Sequence, residues 1–268
     1  MTRFICVQCG TQFAETPAPP PSCPICEDER QYVRWSGQEW TTVEELRAKH
    51  RNVFTEEGGP IGIGIEPDFA IGQRALAIPA GDGAILWDCI SLVTEEAVER
   101  IRRMGGLKAI AISHPHFYAA MAEWSEAFGG VPVYLHEDDR LWVMNPHGAI
   151  RFWSGETLEI APGFTLIRTG GHFEGSTVLH HAAGADGRGD LFVGDSLSVL
   201  QDRRHVSFMR SYPNSIPLNR RAVERIGAAV APYPFERIFG TSAQRHIPQD
   251  GKAAVARSIE RYLAAIRD

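Results

Sequence analysis

The sequence predicts an α/β protein of the mixed α+β kind, with two β-sheets carrying helices on their outer faces and a small metal-held module at the N-terminus. Three observations predict it. Short apolar runs broken by glycine alternate twice with stretches of helical period, two Cys-x-x-Cys pairs open the chain, and histidines and an aspartate follow the ends of apolar strands.

At 268 residues the chain exceeds the usual single-domain size, although sandwiches of roughly 200–250 residues routinely form one domain. The simplest division is a four-cysteine module over residues 1–35 and one large domain over 36–268. A net charge of -6 provides no broad cationic surface, so nucleic acid is not an expected partner. Residues 1–10 lack the apolar stretch of a secretory signal, and no run approaches the roughly 18 apolar residues that span a bilayer. A cytoplasmic location and no membrane association follow as expectations. Four of the five cysteines sit in the two pairs, which in a reducing compartment points to metal ligation rather than disulfides.

Along the chain, residues 41–50 (TTVEELRAKH) predict a short connecting helix with Thr41 or Thr42 as N-cap and Glu44 or Glu45 closing a capping box. The runs IGIGI, RALAI and GAILWDC between 61 and 89 predict strands of an antiparallel meander. Residues 94–104 then change to helical period behind a Thr N-cap, and 107–113 (LKAIAIS) return to strand. A helix over 117–128, a strand over 131–136 and shorter strands through TLEI, FTLIRT, STVLHHAA and DLFVGD complete the middle of the chain. Helices are expected over 218–230 and 252–266, with the strand RIFG between them.

Cys6, Cys9, Cys23 and Cys26 have the spacing Cys-x2-Cys-x13-Cys-x2-Cys, in which each pair wraps a tight turn that presents two thiolates to one tetrahedral ion. Gly10 supplies a positive φ for such a turn and Pro24 stiffens the other. The spacing resembles zinc-ribbon and rubredoxin-like modules. Zinc or iron fits four sulfurs, and a site saturated by thiolates is structural because no position stays open for a substrate.

The strand ending at Ser113 runs into His114-Pro115-His116, where Pro115 biases His114 toward extended backbone. A third histidine, His172, lies in the glycine-rich turn GGHFEGS, whose glycines allow close backbone approach to an ion. Asp195 ends the apolar strand LFVGD, where an unpaired carboxylate would be costly and a cation is the natural partner.

SHPH, GGHFEGS and FVGDS, in this order and over about 200 residues, resemble the metallo-β-lactamase superfamily. The resemblance implies the four-layer αβ/βα sandwich, a metal held by His114, His116 and His172, and Asp195 as a further ligand or bridge. It also implies a hydrolase. The family pattern His-x-His-x-Asp-His departs here at Tyr118 and Ala119, so a standard pair of metals is not expected. A single zinc with three histidines and an aspartate can still activate a water toward a small ester, thioester, lactone or amide. In that scheme Asp195 and Tyr118 are the catalytic candidates, Tyr118 donating to a developing oxyanion or leaving group; packing on the following helix is its equal alternative.

Other features carry ordinary structural readings. His205 and His246 are taken as loop histidines, with contact to the metal or substrate as the alternative for each, and His180 and His181 as strand residues facing opposite ways. Cys89 reads as a small buried hydrophobe, and the neighbouring pair Arg203 and Arg204 as solvated, with contact to an anionic substrate as the alternative. GIGIEP lacks the spacing of a dinucleotide site. Two other functions compete with the hydrolase: a redox protein with iron in the four-cysteine site, and a non-catalytic metal-binding member of the fold.

Overall fold

The computed structural model describes residues 1–267 and divides into two compact units. The first comprises Met1–Leu135 with Arg140–Phe152; the second comprises His136–Asp139 and the chain from Trp153 onward.

The first unit begins with a three-stranded sheet in the order β2-β1-β3, made of β1 (Thr2–Cys6), β2 (Gln12–Thr16) and β3 (Trp40–Thr41). A single helical turn, α1 (Pro24–Glu27), carries Cys26, with Pro24 in its first turn, where a missing N–H costs nothing. Gly10 has φ +77°, as the knuckle turn requires. The connecting helix is α2 (Val43–Lys49): Thr42 is its N-cap, accepting from the Glu45 N–H at 3.3 Å, while Glu45 accepts from Thr41 Oγ1.

A seven-stranded sheet follows, ordered β10-β9-β8-β7-β6-β5-β4. Its meander is β4 (Arg51–Glu56), β5 (Ile61–Glu66), β6 (Ala75–Ala80) and β7 (Gly83–Trp87), all antiparallel. β4 was not expected. Its sequence RNVFTE has little apolar content, and only pairing with β5 along its whole length makes it a strand. Helix α3 (Glu95–Arg103) then returns the chain so that β8 (Leu107–Ala111) and β9 (Val133–His136) run parallel to β7, and β10 (Ile150–Trp153) lies at the edge. Thr94 caps α3 through its hydroxyl, a contact worth about 1 kcal/mol.

The helix expected over 117–128 is interrupted. A 3-10 turn at Pro115–Phe117 is followed by Ala119 at φ +36°, and the α-helix proper, α4, spans only Met121–Ala127. The core behind it is built around Trp124, fully buried, whose indole N–H donates to the Ile90 carbonyl at 3.0 Å.

The second unit holds a six-stranded sheet in the order β11-β12-β13-β14-β19-β20. The strands are β11 (Thr157–Ala161), β12 (Phe164–Arg168), β13 (Thr177–His181), β14 (Asp190–Phe192), β19 (Arg237–Phe239) and β20 (His246–Ile247). All neighbours are antiparallel except β14 and β19. A short turn, α5 (Gly184–Gly187), joins β13 to β14, and two small ribbons pair β15 (Ser198–Val199) with β16 (Val206–Ser207) and β17 (Met209–Ser211) with β18 (Ile216–Pro217). Helices α6 (Arg220–Val230) and α7 (Gly251–Ala265) bury Val223, Ile226 and Val255 in a core with Leu191, Phe208 and Ile238. His180 is buried and bonds the Pro234 carbonyl at 2.7 Å, while His181 stacks on Phe164, so both serve the sheet. Among the described residues no helix is long and apolar enough to cross a membrane.

Candidate metal centre

Two groups of ligand-type side chains have donor atoms that all lie within 4.8 Å of one another: Cys6, Cys9, Cys23 and Cys26, and His114, His116, His172 and Asp195.

In the cysteine group every residue is buried and free of disulfides. Sγ of Cys6 lies 3.6 Å from that of Cys26, and Sγ of Cys9 lies 3.7 Å from that of Cys23. These separations are far beyond a disulfide bond of about 2.05 Å. A tetrahedron with metal–sulfur bonds of about 2.3 Å has edges of about 3.8 Å, so the sulfurs fit one ion. The Gln38 amide donates to Cys6 Sγ at 3.2 Å, as suits a thiolate. Hydrogen bonds from Cys23, Cys26 and Cys9 push Cys6 toward the thiolate, while contacts with Cys23, Cys26 and Cys6 raise Cys9 and contacts with Cys23 and Cys6 raise Cys26. One negative charge is thus stabilised by its neighbours, whereas four together require a cation. Phe13, Ile25, Trp40, Trp142 and Met144 enclose the cluster, so much of its apolar cover comes from beyond residue 35.

In the histidine group, His114 has extended backbone at φ -171°, as the following proline dictates. The rings of His114 and His116 meet edge to face with centroids 5.1 Å apart. His114 Nδ1 is 2.9 Å from Ser113 Oγ, and the Ser113 N–H donates to Asp88 Oδ1 at 2.7 Å. Asp88 therefore sits behind the loop. His172 Nδ1 is 3.2 Å from the Met209 carbonyl, and a carbonyl only accepts, so Nδ1 donates there and Nε2 is the ring nitrogen left to face the carboxylate. Nε2 faces Asp195 Oδ2 at 3.9 Å. An imidazole nitrogen turned toward a carboxylate oxygen is a donor pair that fits a shared cation.

Second contacts hold this arrangement. Tyr212 Oη donates to the Asp195 carbonyl at 3.0 Å, and its ring lies 5.8 Å from that of His172. Thr169 Oγ1 and Ser196 Oγ are 2.8 Å apart and tie the two ligand-bearing turns together. The glycines of GGHFEGS act through protein packing: a Cβ on Gly171, at φ +89°, would lie 2.9 Å from Leu218 Cδ1, and one on Gly175 2.7 Å from Asp139 Cγ. Asp139 accepts the Gly175 N–H at 2.8 Å.

Tyr118 is buried within the core around Trp124. His205 Nδ1 is held by Asp202 at 2.7 Å, and His246 lies on β20 with its ring tilted against Phe239; neither belongs to the histidine group. Cys89 is fully buried, and desolvation raises its thiol well above the ordinary range. Asp88, Tyr212 and Met209 were not anticipated. Asp88 carried a visible signal, because it ends the apolar strand GAILW as Asp195 ends LFVG; Tyr212 and Met209 carried none.

No family model matches the chain. It is 46% identical over 269 residues to the uncharacterized protein YmaE of Bacillus subtilis (strain 168), covering 99% of this chain and 97% of that one. The chain belongs to the YmaE family. Among solved structures this YmaE-family chain is similar to VMB-1, with a TM-score of 0.60 and 16% identity over 81% of this chain and 99% of the other. The DIM-1 metallo-β-lactamase exposed to ceftazidime gives a TM-score of 0.56 and 12% identity over 79% and 98%. TTHA1623 in a di-iron-bound form gives 0.50 and 23% over 70% and 94%. The fold is that of the metallo-β-lactamases, and in this YmaE-family chain it carries four clustered cysteines near the N-terminus.

Proposed function

We propose that the protein is a metal-dependent hydrolase with one catalytic ion at His114, His116, His172 and Asp195 and one structural ion at Cys6, Cys9, Cys23 and Cys26. The observation that carries this reading is the meeting of three imidazoles and one carboxylate within 4.8 Å. The metallo-β-lactamase fold supports it, since DIM-1 bears that name on the same fold. Zinc is the metal of choice at both sites, with iron the alternative that the di-iron form of TTHA1623 suggests.

Such an ion supplies Lewis-acid polarisation of a carbonyl and a water acidic enough to react near neutral pH. The chain's residues do the rest. The Met209 carbonyl fixes the tautomer and ring orientation of His172, Ser113 sets His114, and Tyr212 holds the backbone of Asp195. The Asp195 side chain is 19% exposed beside a His172 that is 1% exposed, so the carboxylate is the member of the group that meets solvent. It orients the incoming water or takes its proton. Ala119 has no donor atom and Tyr118 lies in the core, which favours one ion over two. Tyr118 is assigned to packing here.

The substrate is a small ester, thioester, lactone or amide; no nucleic-acid or membrane partner is assigned. Buried free thiols accord with a reducing, cytoplasmic setting. The test is elemental analysis with a hydrolysis screen across those four substrate classes. Two ions per chain and turnover that disappears with the histidine-site ion support the proposal; a single ion held only by thiolates, or visible absorption from four-sulfur iron without hydrolysis, overturns it.

A further inference from the structure

The knuckle and the histidine loop are joined by buried hydrogen bonds inside the first unit. The Gln73 amide donates one hydrogen to the Cys9 carbonyl at 2.6 Å and the other to the His116 carbonyl at 2.9 Å. Gln73 is only 7% exposed, so both hydrogen bonds are shielded from solvent and removing the amide leaves buried carbonyls short of a donor. Three residues on, the Gln12 N–H donates to the carbonyl of Ala119 at 3.1 Å. Ala119 has φ +36°, a strained backbone for alanine that persists only where its surroundings hold it. The knuckle is in turn pressed close: Ser91 Oγ donates to the Gly10 carbonyl at 2.7 Å, and a Cβ on Gly10 would lie 2.5 Å from that oxygen.

We propose that Gln73 is a positioning residue that couples the two metal sites, so that an ion in the four-cysteine knuckle raises the affinity of the His114–His116 loop for its own ion. The inference rests on the functional reading above for the existence of the second ion. The physical route is short. Thiolates gathered around an ion fix the Cys9–Gln12 turn, the turn fixes the Gln73 amide and Ala119, and those fix the backbone that carries both imidazoles. Coupling of this kind is reciprocal, and typical magnitudes are roughly 5- to 150-fold in affinity.

Cobalt(II) titration of the full-length protein tests it, because thiolate-bound cobalt shows charge-transfer bands that imidazole- and carboxylate-bound cobalt lacks. Gln73→Met keeps the volume and removes both donors; Cys26→Ser disables the knuckle. Expected is a fall in histidine-site affinity of about 5-fold or more in each variant, with the double variant no worse than Cys26→Ser alone. If Cys26→Ser does not fold, Gln73→Met with a filled knuckle decides. Histidine-site affinity equal to wild type in a folded Gln73→Met overturns the coupling and leaves the functional reading intact. Additive losses in the double variant also overturn it. A wild-type protein that binds cobalt only at thiolates overturns both.

Discussion

The four-cysteine knuckle and the histidine group are two metal-type clusters built on opposite principles. In the knuckle the four donors come from a stretch of 21 residues, all are thiols, all are buried, and their spacing closes a tetrahedron. In the histidine group the donors come from turns far apart in sequence, mix imidazole with carboxylate, and leave Asp195 partly exposed. A saturated sulfur site holds structure, while a mixed site with one solvent-facing member leaves room for chemistry. The lesson is that the two clusters, alike in ligand count, differ most clearly in the exposure of a single donor.

The largest expected break in this comparison is His116→Ala. It removes a donor from the mixed site, so turnover should disappear and one ion per chain should be lost while the sulfur-bound ion remains; elemental analysis beside an activity assay checks both. Loss of both ions would mean that the clusters are not distinct in role. Cys26→Ser should do the reverse to structure, costing on the order of several kcal/mol because metal binding at such a knuckle is folding free energy. Thermal melting measures it, and an unchanged midpoint would show that the knuckle is not held by an ion.

Gly171→Ala sharpens the view that the glycine-rich turn serves protein packing. With φ +89° and Leu218 Cδ1 at 2.9 Å from the new Cβ, it should cost about 1–3 kcal/mol in denaturant unfolding. Tyr212→Phe deletes only the hydroxyl that holds the Asp195 carbonyl, and a loss of roughly 10-fold in histidine-site metal affinity is expected, with the knuckle unaffected.

The smallest effect is a pH dependence outside both clusters. Burial lowers the pKa of His136 and of His180 below the ordinary 6.5. The unfolded chain therefore takes up protons first, and stability is lost as pH falls from about 6.5 toward the folded values. In a His116→Ala background, where acid release of an ion from the histidine group would not contribute, His180→Gln should flatten this acid limb of the urea midpoint. An unchanged limb would locate the dependence elsewhere.

Most of the fold and the site could be read from the chain because the signals were local. Thr42 and Thr94 capped the helices expected of them, the glycine-punctuated runs became β5, β6 and β7, and Pro115 held His114 extended. What escaped depended on partners. The polar strand β4 exists through pairing with β5, and the helix expected over 117–128 gave way to a turn because Ala119 is held at positive φ by a strand more than a hundred residues earlier.

By itself, then, the sequence determined which residues offer metal-type donors and most of the elements that carry them, since donor chemistry, capping and periodicity depend on a residue and its near neighbours. Only the tertiary structure decided that Tyr212 bonds the Asp195 carbonyl and Met209 the His172 ring, that Tyr118 is buried in the core around Trp124, and that Gln73 bridges knuckle and loop. The reason is physical: hydrogen bonds between distant segments depend on where the folded backbone brings a carbonyl, and no local pattern encodes that position.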